Sequence, residues 1–222
     1  MVALRPLAWS RGLDAGMTLD WTVLVPLKAL PSAKSRLAAS LPPHQHVDLV
    51  EAIRADTIAA ILAATAVARV IIVADQASDF GDLGATTVIQ REPGLNAGLA
   101  EAAALAAEQW PDSGIASLVG DLPALRPEQL DAALHAAAGN PRSFVPDASG
   151  LGTTLLAARP GVALNPSYGA GSAARHAEFS VELPAEAGLR ADVDTAEDLD
   201  ICRAIGVGER TAAVLASFAT QP

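Results

Sequence analysis

The sequence feature that most constrains the fold is a short apolar run that ends in an acidic residue, residues 117–121, Ser-Leu-Val-Gly-Asp. A nearly aliphatic stretch of this length is typical of a parallel strand that is buried on both faces. In open α/β sheets, ligands bind beyond the carboxyl ends of such strands. A carboxylate buried there is unfavourable unless a cation accompanies it. Asp121 is therefore the first candidate for a metal ligand.

Strands and helices alternate through the first two thirds of the chain. We predict strands at 22–27, 69–74, 86–90 and 115–119, and helices from about residue 33 and at 47–66, 96–110 and 127–138. This alternation predicts a doubly wound, mainly parallel α/β sheet. After residue 142 we predict short strands at 143–146, 153–158, 181–183 and 189–193, and helices at 173–178, 196–205 and 207–218.

Length and composition favour one globular domain. The 222 residues predict a single domain from 21 to 222, preceded by a flexible extension over residues 1–20. No apolar run reaches the ~18 residues of a membrane span, so no membrane partner is expected. The single cysteine, Cys202, excludes a disulfide within the chain and favours a cytoplasmic location.

The positive charges are few and clustered. The net charge of −10 argues against nucleic acid as a partner. The chain has only two lysines, Lys28 and Lys34, and both lie with Arg36 in the first strand–loop–helix unit. Such cations, together with helix N-terminal amides, could bind a triphosphate. The glycine pattern of a P-loop is absent, and a solvated helix start is the alternative interpretation.

Two further acidic residues, Asp192 and Asp194, lie at the end of the last predicted strand. Alternate residues of a strand point to the same side, so both carboxylates could serve one site with Asp121. Mg²⁺ is usually held by one or two carboxylates together with substrate phosphates. The alternative for each acid is N-capping of the helix that follows it.

A glycine-rich loop precedes the short helix predicted at 173–178. Gly169 and its neighbours could direct backbone amides at an anion, with Ser172 adding a hydroxyl at the N-cap. A plain loop is an equal alternative. We interpret His176 on the same helix as a packing or capping residue rather than a base.

Two further polar positions are candidates for substrate contacts. Thr154, which follows Gly152 and Thr153, could bind a carboxylate, although β-propensity explains it equally well. Asn96, after the third strand, could contact a nucleobase or ribose. N-capping of the following helix is the simpler role for Asn96.

These segments together resemble the 2-phospho-L-lactate/phosphoenolpyruvate guanylyltransferase family of coenzyme F-420 biosynthesis. The resembling segments are Pro26-x-Lys28 and residues 33–37, 120–123, 152–155, 168–176 and 192–195. The resemblance spans residues 22 to about 204. It implies a Rossmann-like, three-layer nucleotidyltransferase (nucleotide-diphospho-sugar transferase) fold with a mixed, mainly parallel sheet. The first loop lacks the glycine-rich pattern of the wider nucleotidyltransferases, which leaves the base undecided from residues alone.

The resemblance also implies substrates and roles. GTP would be the co-substrate, Mg²⁺ the cofactor, and a three-carbon phospho-acid (phosphoenolpyruvate or 2-phospho-L-lactate) the acceptor. The implied site residues are Lys28, Lys34, Arg36 and Asp121 for catalysis, Asp121, Asp192 and Asp194 for the metal, and Thr154, Gly169 and Ser172 for the acceptor's carboxylate and phosphate. Asn96 is a further candidate for substrate binding from its position alone.

Other functions stay open at this point. One alternative is a nucleotidyltransferase that acts on a sugar phosphate or on molybdopterin. Another is a non-catalytic nucleotide-binding domain. The sequence also leaves open the acceptor, the number of metal ions and the oligomeric state, a homodimer included.

Overall fold

Seven strands form one mixed sheet in the computed structural model, which describes residues 19–28, 35–38, 41–75, 83–91 and 93–219, without the side chains of residues 35, 36 and 219. The strand order is β3-β2-β1-β4-β6-β5-β7. The strands are β1 (Trp21–Leu27), β2 (Val67–Ala74), β3 (Thr86–Ile89), β4 (Gly114–Leu118), β5 (Arg142–Pro146), β6 (Thr153–Ala158) and β7 (Val181–Glu182). Only β6 runs antiparallel to its neighbours, which confirms a mixed, mainly parallel sheet.

Helices cover both faces of the sheet. They are α1 (Ser35–Ala38), α2 (Pro43–Ala63), α3 (Leu95–Gln109), α4 (Pro127–Ala137), α5 (Ser172–Ala177), α6 (Ala187–Arg190), α7 (Ala196–Ile205) and α8 (Glu209–Ala219). One core lies between the sheet and helices α2 and α4, and a second lies between the sheet and helices α3 and α5. A third cluster joins α2 to α7 and α8. This three-layer arrangement explains why β1 and β4 are mostly apolar and almost entirely buried, since neither face meets water.

The parallel strands β1 and β4 end side by side. Leu24 pairs with Ser117, so Lys28 and Asp121 both lie beyond the same end of the sheet. We call this the carboxyl end. Gly120 permits the close approach, because a Cβ at that position would collide with the side chain of Leu27. Lys28 and Asp121 therefore lie where ligands generally bind in open α/β sheets, and their binding roles stay predictions.

Helix α2 begins and ends earlier than the predicted range of 47–66. Pro43 occupies its first turn, where a missing N–H does no harm. Beyond Ala63 the backbone turns, and the Asp131 carboxylate of α4 accepts the amides of Thr65 and Ala66 at 2.9 and 2.8 Å. A long-range side chain thus replaces the next helical turn, which a local pattern does not predict.

The strand predicted at 189–193 is wrong. Residues 187–190 form the one-turn helix α6, and residues 191–193 lie outside the sheet. Val193 N donates to Asp121 O at 3.1 Å, so this segment crosses the carboxyl end of β4 instead of pairing along a strand. The separate strand predicted at 181–183 is confirmed as β7, which pairs with β5 at the edge of the sheet.

The N-terminal boundary stays a prediction. Residues 1–18 of the predicted extension lie outside the described residues, and the backbone of Asp20 already accepts a hydrogen bond from Gly114 N at 2.9 Å. Within the described ranges, no helix has both the length and the apolar character that crossing a membrane requires.

Candidate active site at the carboxyl end of the sheet

Lys28 directly follows β1, and its side chain is exposed. Its carbonyl oxygen accepts a 2.6 Å hydrogen bond from Nη2 of Arg54 on α2. Lys34 and the side chain of Arg36 lie outside the described residues. Phosphate neutralisation by these three cations therefore stays a prediction, with Lys28 in a suitable place for it.

Asp121 is held through the backbone on both sides. Its carbonyl accepts from Val193 N at 3.1 Å, and the next amide, Leu122 N, donates to Thr57 Oγ1 at 3.0 Å. The carboxylate atom Oδ1 is buried from solvent. The end of β4 therefore presents a fixed, partly buried acid, as expected for a residue that binds a cation.

Asp192 and Asp194 precede α7 but do not cap it. Thr195 is the N-cap: its Oγ1 accepts from Asp198 N at 3.2 Å. The Asp198 carboxylate in turn accepts the amides of Asp194 and Thr195 at 3.0 and 2.8 Å. The capping alternative is therefore wrong for both acids, and their segment adjoins Asp121 through Val193.

Negative charge concentrates around this segment. Burial, with the carboxylates of Asp192, Asp198 and Asp121, raises the pKa of the buried Cys202 thiol to about 12. Over the part of the chain that the structure describes, no three His, Cys, Asp or Glu side chains form a ready-made metal cluster. Carboxylate oxygens such as those of Asp121, Asp192 and Asp194 are nevertheless the type of ligand that Mg²⁺ prefers, and Mg²⁺ is often held by only one or two of them together with water and substrate phosphates.

The start of β6 lies beside the end of β4, because Val119 N donates to Thr154 O at 3.0 Å. The Thr154 side chain is buried, and its hydroxyl lies 3.5 Å from Val145 O. Thr153 is also buried, and its Oγ1 contacts Ser172 Oγ at 3.2 Å and His176 Nδ1 at 2.8 Å. Direct substrate binding by Thr154 stays a prediction.

The glycine-rich loop before α5 contains two glycines with left-handed backbone. Gly169 and Gly171 adopt φ values of 122° and 70°, which favour glycine. Arg175 fixes the loop carbonyls: its guanidinium donates to Ser167 O at 2.8 Å and to Ala170 O at 2.7 Å. Among the described residues, none accepts a hydrogen bond from the amides of residues 169–171. Three consecutive amides are therefore available for an anion.

Ser172 is not the N-cap of α5, contrary to prediction. Gly171 holds that position in a left-handed conformation, and the Ser172 side chain is buried against Thr153. The difference arises because the hydroxyl finds a partner on β6, far away in sequence. Its predicted contact with substrate remains untested.

Asn96 is not an N-cap either, because α3 begins at Leu95 after Gly94. Its side chain accepts from Tyr168 N at 2.7 Å and donates to Tyr168 O at 3.1 Å. The Tyr168 hydroxyl donates to Ser117 O on β4 at 3.1 Å, and burial raises the pKa of this phenol. Asn96 thus fixes the glycine-rich loop to the sheet, while its predicted substrate contact stays a prediction.

His176 has the packing role that the sequence suggested. The ring is 3% exposed, and Nε2 accepts from Ser167 N at 2.9 Å. Burial, with the positive charges of Arg175 and Arg142, lowers its pKa to about 4. The neutral ring therefore carries its proton on Nδ1, toward Thr153, and supports the glycine-rich loop through Ser167.

Two arginines at the site, Arg54 and Arg190, are not among the residues that the sequence predicts to contribute to it. Arg54 is a charged residue between the apolar positions Ile53 and Ile58 of α2, and this interruption was a usable signal. Arg190 donates to Pro146 O and Asp147 O at 3.2 and 2.9 Å and ties the β5–β6 turn to the acidic segment. No local pattern marks Arg190.

Known proteins similar to this chain have the same architecture and a defined activity. A phosphoenolpyruvate guanylyltransferase of Streptomyces coelicolor is 48% identical over 205 residues, covering 89% of this chain and 97% of the relative. A crystal structure from Desulfovibrio desulfuricans, provisionally identified as a nucleotide-diphospho-sugar transferase, aligns with a TM-score of 0.71 at 18% identity, covering 90% of this chain and 95% of that one. A 4-diphosphocytidyl-2C-methyl-D-erythritol synthase structure aligns with a TM-score of 0.54 at 13% identity, covering 86% and 99% of the two chains.

The two structures establish the nucleotidyltransferase fold that the resemblance implied. The sequence comparison is more specific. The family described as "Guanylyl transferase CofC like" matches residues 21–219, which include every described site residue. The chain belongs to this guanylyltransferase family.

Proposed function

We propose that this protein transfers GMP from GTP to the phosphate of phosphoenolpyruvate and releases pyrophosphate, as a step of coenzyme F-420 biosynthesis. 2-Phospho-L-lactate is the alternative acceptor. The observation that carries the proposal is that Lys28, Asp121 and Thr154 lie at the same end of the sheet. Relatives at 48% identity named phosphoenolpyruvate guanylyltransferase support the choice of acceptor.

The reaction needs positioning more than proton transfer. An oxygen of the acceptor phosphate attacks the α-phosphorus of GTP, and the bond to the β-phosphate breaks as pyrophosphate leaves. The acceptor is already ionised at neutral pH, so no general base is required. In-line placement and neutralisation of negative charge then supply most of the rate enhancement.

We divide the site into a nucleotide side, with Lys28, Lys34 and Arg36, and an acceptor side, with Thr154 and residues 169–171. Lys28, Lys34 and Arg36 would neutralise the phosphates of GTP. Asp121, with Asp192 and Asp194, would hold Mg²⁺, which when bound stabilises the negative charge that develops between donor and acceptor.

The acceptor would bind on the other side of Asp121. The free amides of residues 169–171 suit a phosphate or carboxylate, and Thr154 lies beside the end of β4. Asn96 and Ser172 contribute through the loop that they support.

Pyrophosphate release from purified protein tests the proposal. We expect release with GTP, Mg²⁺ and phosphoenolpyruvate, and much less when ATP replaces GTP. Release only with 2-phospho-L-lactate would change the acceptor. Release only with a sugar phosphate or molybdopterin would favour another nucleotidyltransferase. GTP binding without release from any acceptor would favour a non-catalytic domain.

A cytoplasmic location and a homodimer stay predictions. Light scattering of the purified protein would give the mass in solution and settle the second.

A further inference from the structure

Helix α2 buries three polar side chains close together. Arg54, Asp56 and Thr57 are 8%, 9% and 0% exposed. A buried polar group destabilises the fold unless it is bonded, so each requires a partner. Asp56 accepts the amides of Arg210 and Thr211 at the start of α8, at 3.2 and 2.8 Å. Arg54 and Thr57 bond instead to the two strand ends of the candidate site.

Arg54 is bonded to the end of β1 and carries its positive charge toward the acids around the end of β4. Its Nη2 donates to Lys28 O at 2.6 Å. Burial lowers the pKa of this guanidinium, and the carboxylates of Asp121 and Glu51 oppose that effect. The carboxylate of Asp121 thus favours the charged form of Arg54. A planar guanidinium can serve two partners in different directions, which a lysine ammonium on a flexible chain does poorly.

Thr57 lies one helical turn further along the same face of α2. Its hydroxyl donates to Ile53 O at 2.8 Å and accepts from Leu122 N at 3.0 Å. Leu122 is the residue after Asp121. The same helix face thus fixes the backbone beside both Lys28 and Asp121.

We propose that Arg54 and Thr57 are positioning residues, which set the separation between Lys28 and Asp121 and so align the nucleotide phosphates with the metal-binding acid. The roles of Lys28 and Asp121 in this inference rest on the proposed function. The hydrogen bonds of Arg54 and Thr57 do not. We call this pair of bonds, from Arg54 to Lys28 and from Leu122 to Thr57, the clamp. Misplacement of reacting groups by about 1 Å can lower the rate about 10²-fold, so we expect loss of the clamp to have a large kinetic effect.

The arginine is tested with Arg54→Lys, which keeps the charge but not the planar fork. We expect kcat to fall about 10²-fold and KM for GTP to rise, with KM for phosphoenolpyruvate nearly unchanged. Arg210→Lys is the matched control, because Arg210 contacts Asp56 on the same helix but not the site. A folded Arg54→Lys protein with kcat and KM for GTP both within about twofold of wild type would overturn the role of Arg54.

The threonine is tested with Thr57→Val, which keeps the shape and removes the acceptor. We expect kcat to fall about 10-fold and the Leu122 amide to exchange with solvent faster. Thr211→Val is the control, because Thr211 is also fully buried and its Oγ1 has no hydrogen-bond partner among the described residues. Unchanged Leu122 exchange in Thr57→Val would contradict the clamp, and this readout remains available if Arg54→Lys does not fold.

Calorimetry of GTP binding with Mg²⁺ and without acceptor separates this inference from the proposed function. If wild type binds GTP but releases no pyrophosphate from any acceptor, the proposed reaction is wrong. The clamp is then judged by affinity: about 10-fold weaker GTP binding by Arg54→Lys supports it, and unchanged binding overturns it.

Discussion

The two halves of the candidate site are built differently. On the proposed acceptor side, buried side chains form a network that joins Thr153, Ser172 and His176 and supports the glycine-rich loop. On the proposed nucleotide side, Lys28 is exposed, and its backbone carbonyl is bonded to Arg54. The difference follows from the ligating groups. Backbone amides bind an anion only if the loop is already shaped, whereas long cationic side chains need only an anchored base.

We expect the largest effect from a substitution at Asp121, because both proposed halves of the site adjoin this residue. We expect Asp121→Asn to lower kcat at least about 10³-fold without unfolding the protein, because a neutral amide no longer balances a divalent cation. Steady-state pyrophosphate release is the measurement. Asp112→Asn, an exposed acid at the opposite end of β4, is the control. Normal activity of Asp121→Asn would exclude its metal role.

The free energy of unfolding should depend on pH through His176, which lies on the proposed acceptor side. The folded pKa of about 4 lies below the ordinary value of 6.5, so unfolding takes up a proton between these values. His176 therefore contributes stability above pH 6.5 that is lost as pH falls toward 4, about 2 kcal/mol by pH 5.

Urea unfolding at pH 7 and pH 5 measures this effect. The loss of stability on acidification should be smaller in His176→Gln than in wild type, whereas His135→Gln, at an exposed position of α4, should resemble wild type. Equal losses in His176→Gln and wild type would show that the ring is not held neutral.

Replacement of Arg175, on the proposed acceptor side, should change KM for the acceptor but not KM for GTP. Arg175→Gln loses the hydrogen bonds that orient the carbonyls of Ser167 and Ala170. We expect KM for the acceptor to rise about 10-fold, with KM for GTP unchanged, since the loop amides lose their alignment. Initial rates at varied concentrations of each substrate measure this. Arg159→Gln, at the far end of β6, serves as control, and a rise in KM for GTP alone would reverse our assignment of the halves.

The smallest effect is expected at the cap of α7. Thr195→Ala loses the reciprocal bonds with Asp198 and should lower the free energy of unfolding by about 1 kcal/mol. Thr195→Ser retains the hydroxyl and should match wild type. Chemical denaturation of the three proteins is the measurement, and equal stability of Thr195→Ala would mean that the Asp198 carboxylate alone orders the acidic segment.

Local patterns predicted most elements but failed where distant groups compete. The strands β1, β4 and β6 follow from aliphatic runs and lie within one residue of their predicted ends. The sequence predicts a strand for the segment that contains Asp192, because a short apolar run does not distinguish a strand from one helical turn. The side chains of Asn96 and Ser172 were expected to cap helices, but each found a partner elsewhere in the fold.

The sequence by itself determined the α/β alternation, the acids that end or follow strands, and the similarity to one enzyme family. These properties depend on residue type and spacing along the chain. Only the tertiary structure decided how the site is held, because the decisive hydrogen bonds join residues that are far apart in sequence: 26 positions for Arg54 and Lys28, 65 for Thr57 and Leu122, and 72 for Asn96 and Tyr168. A donor and an acceptor at such separations meet only when the sheet and its covering helices have packed.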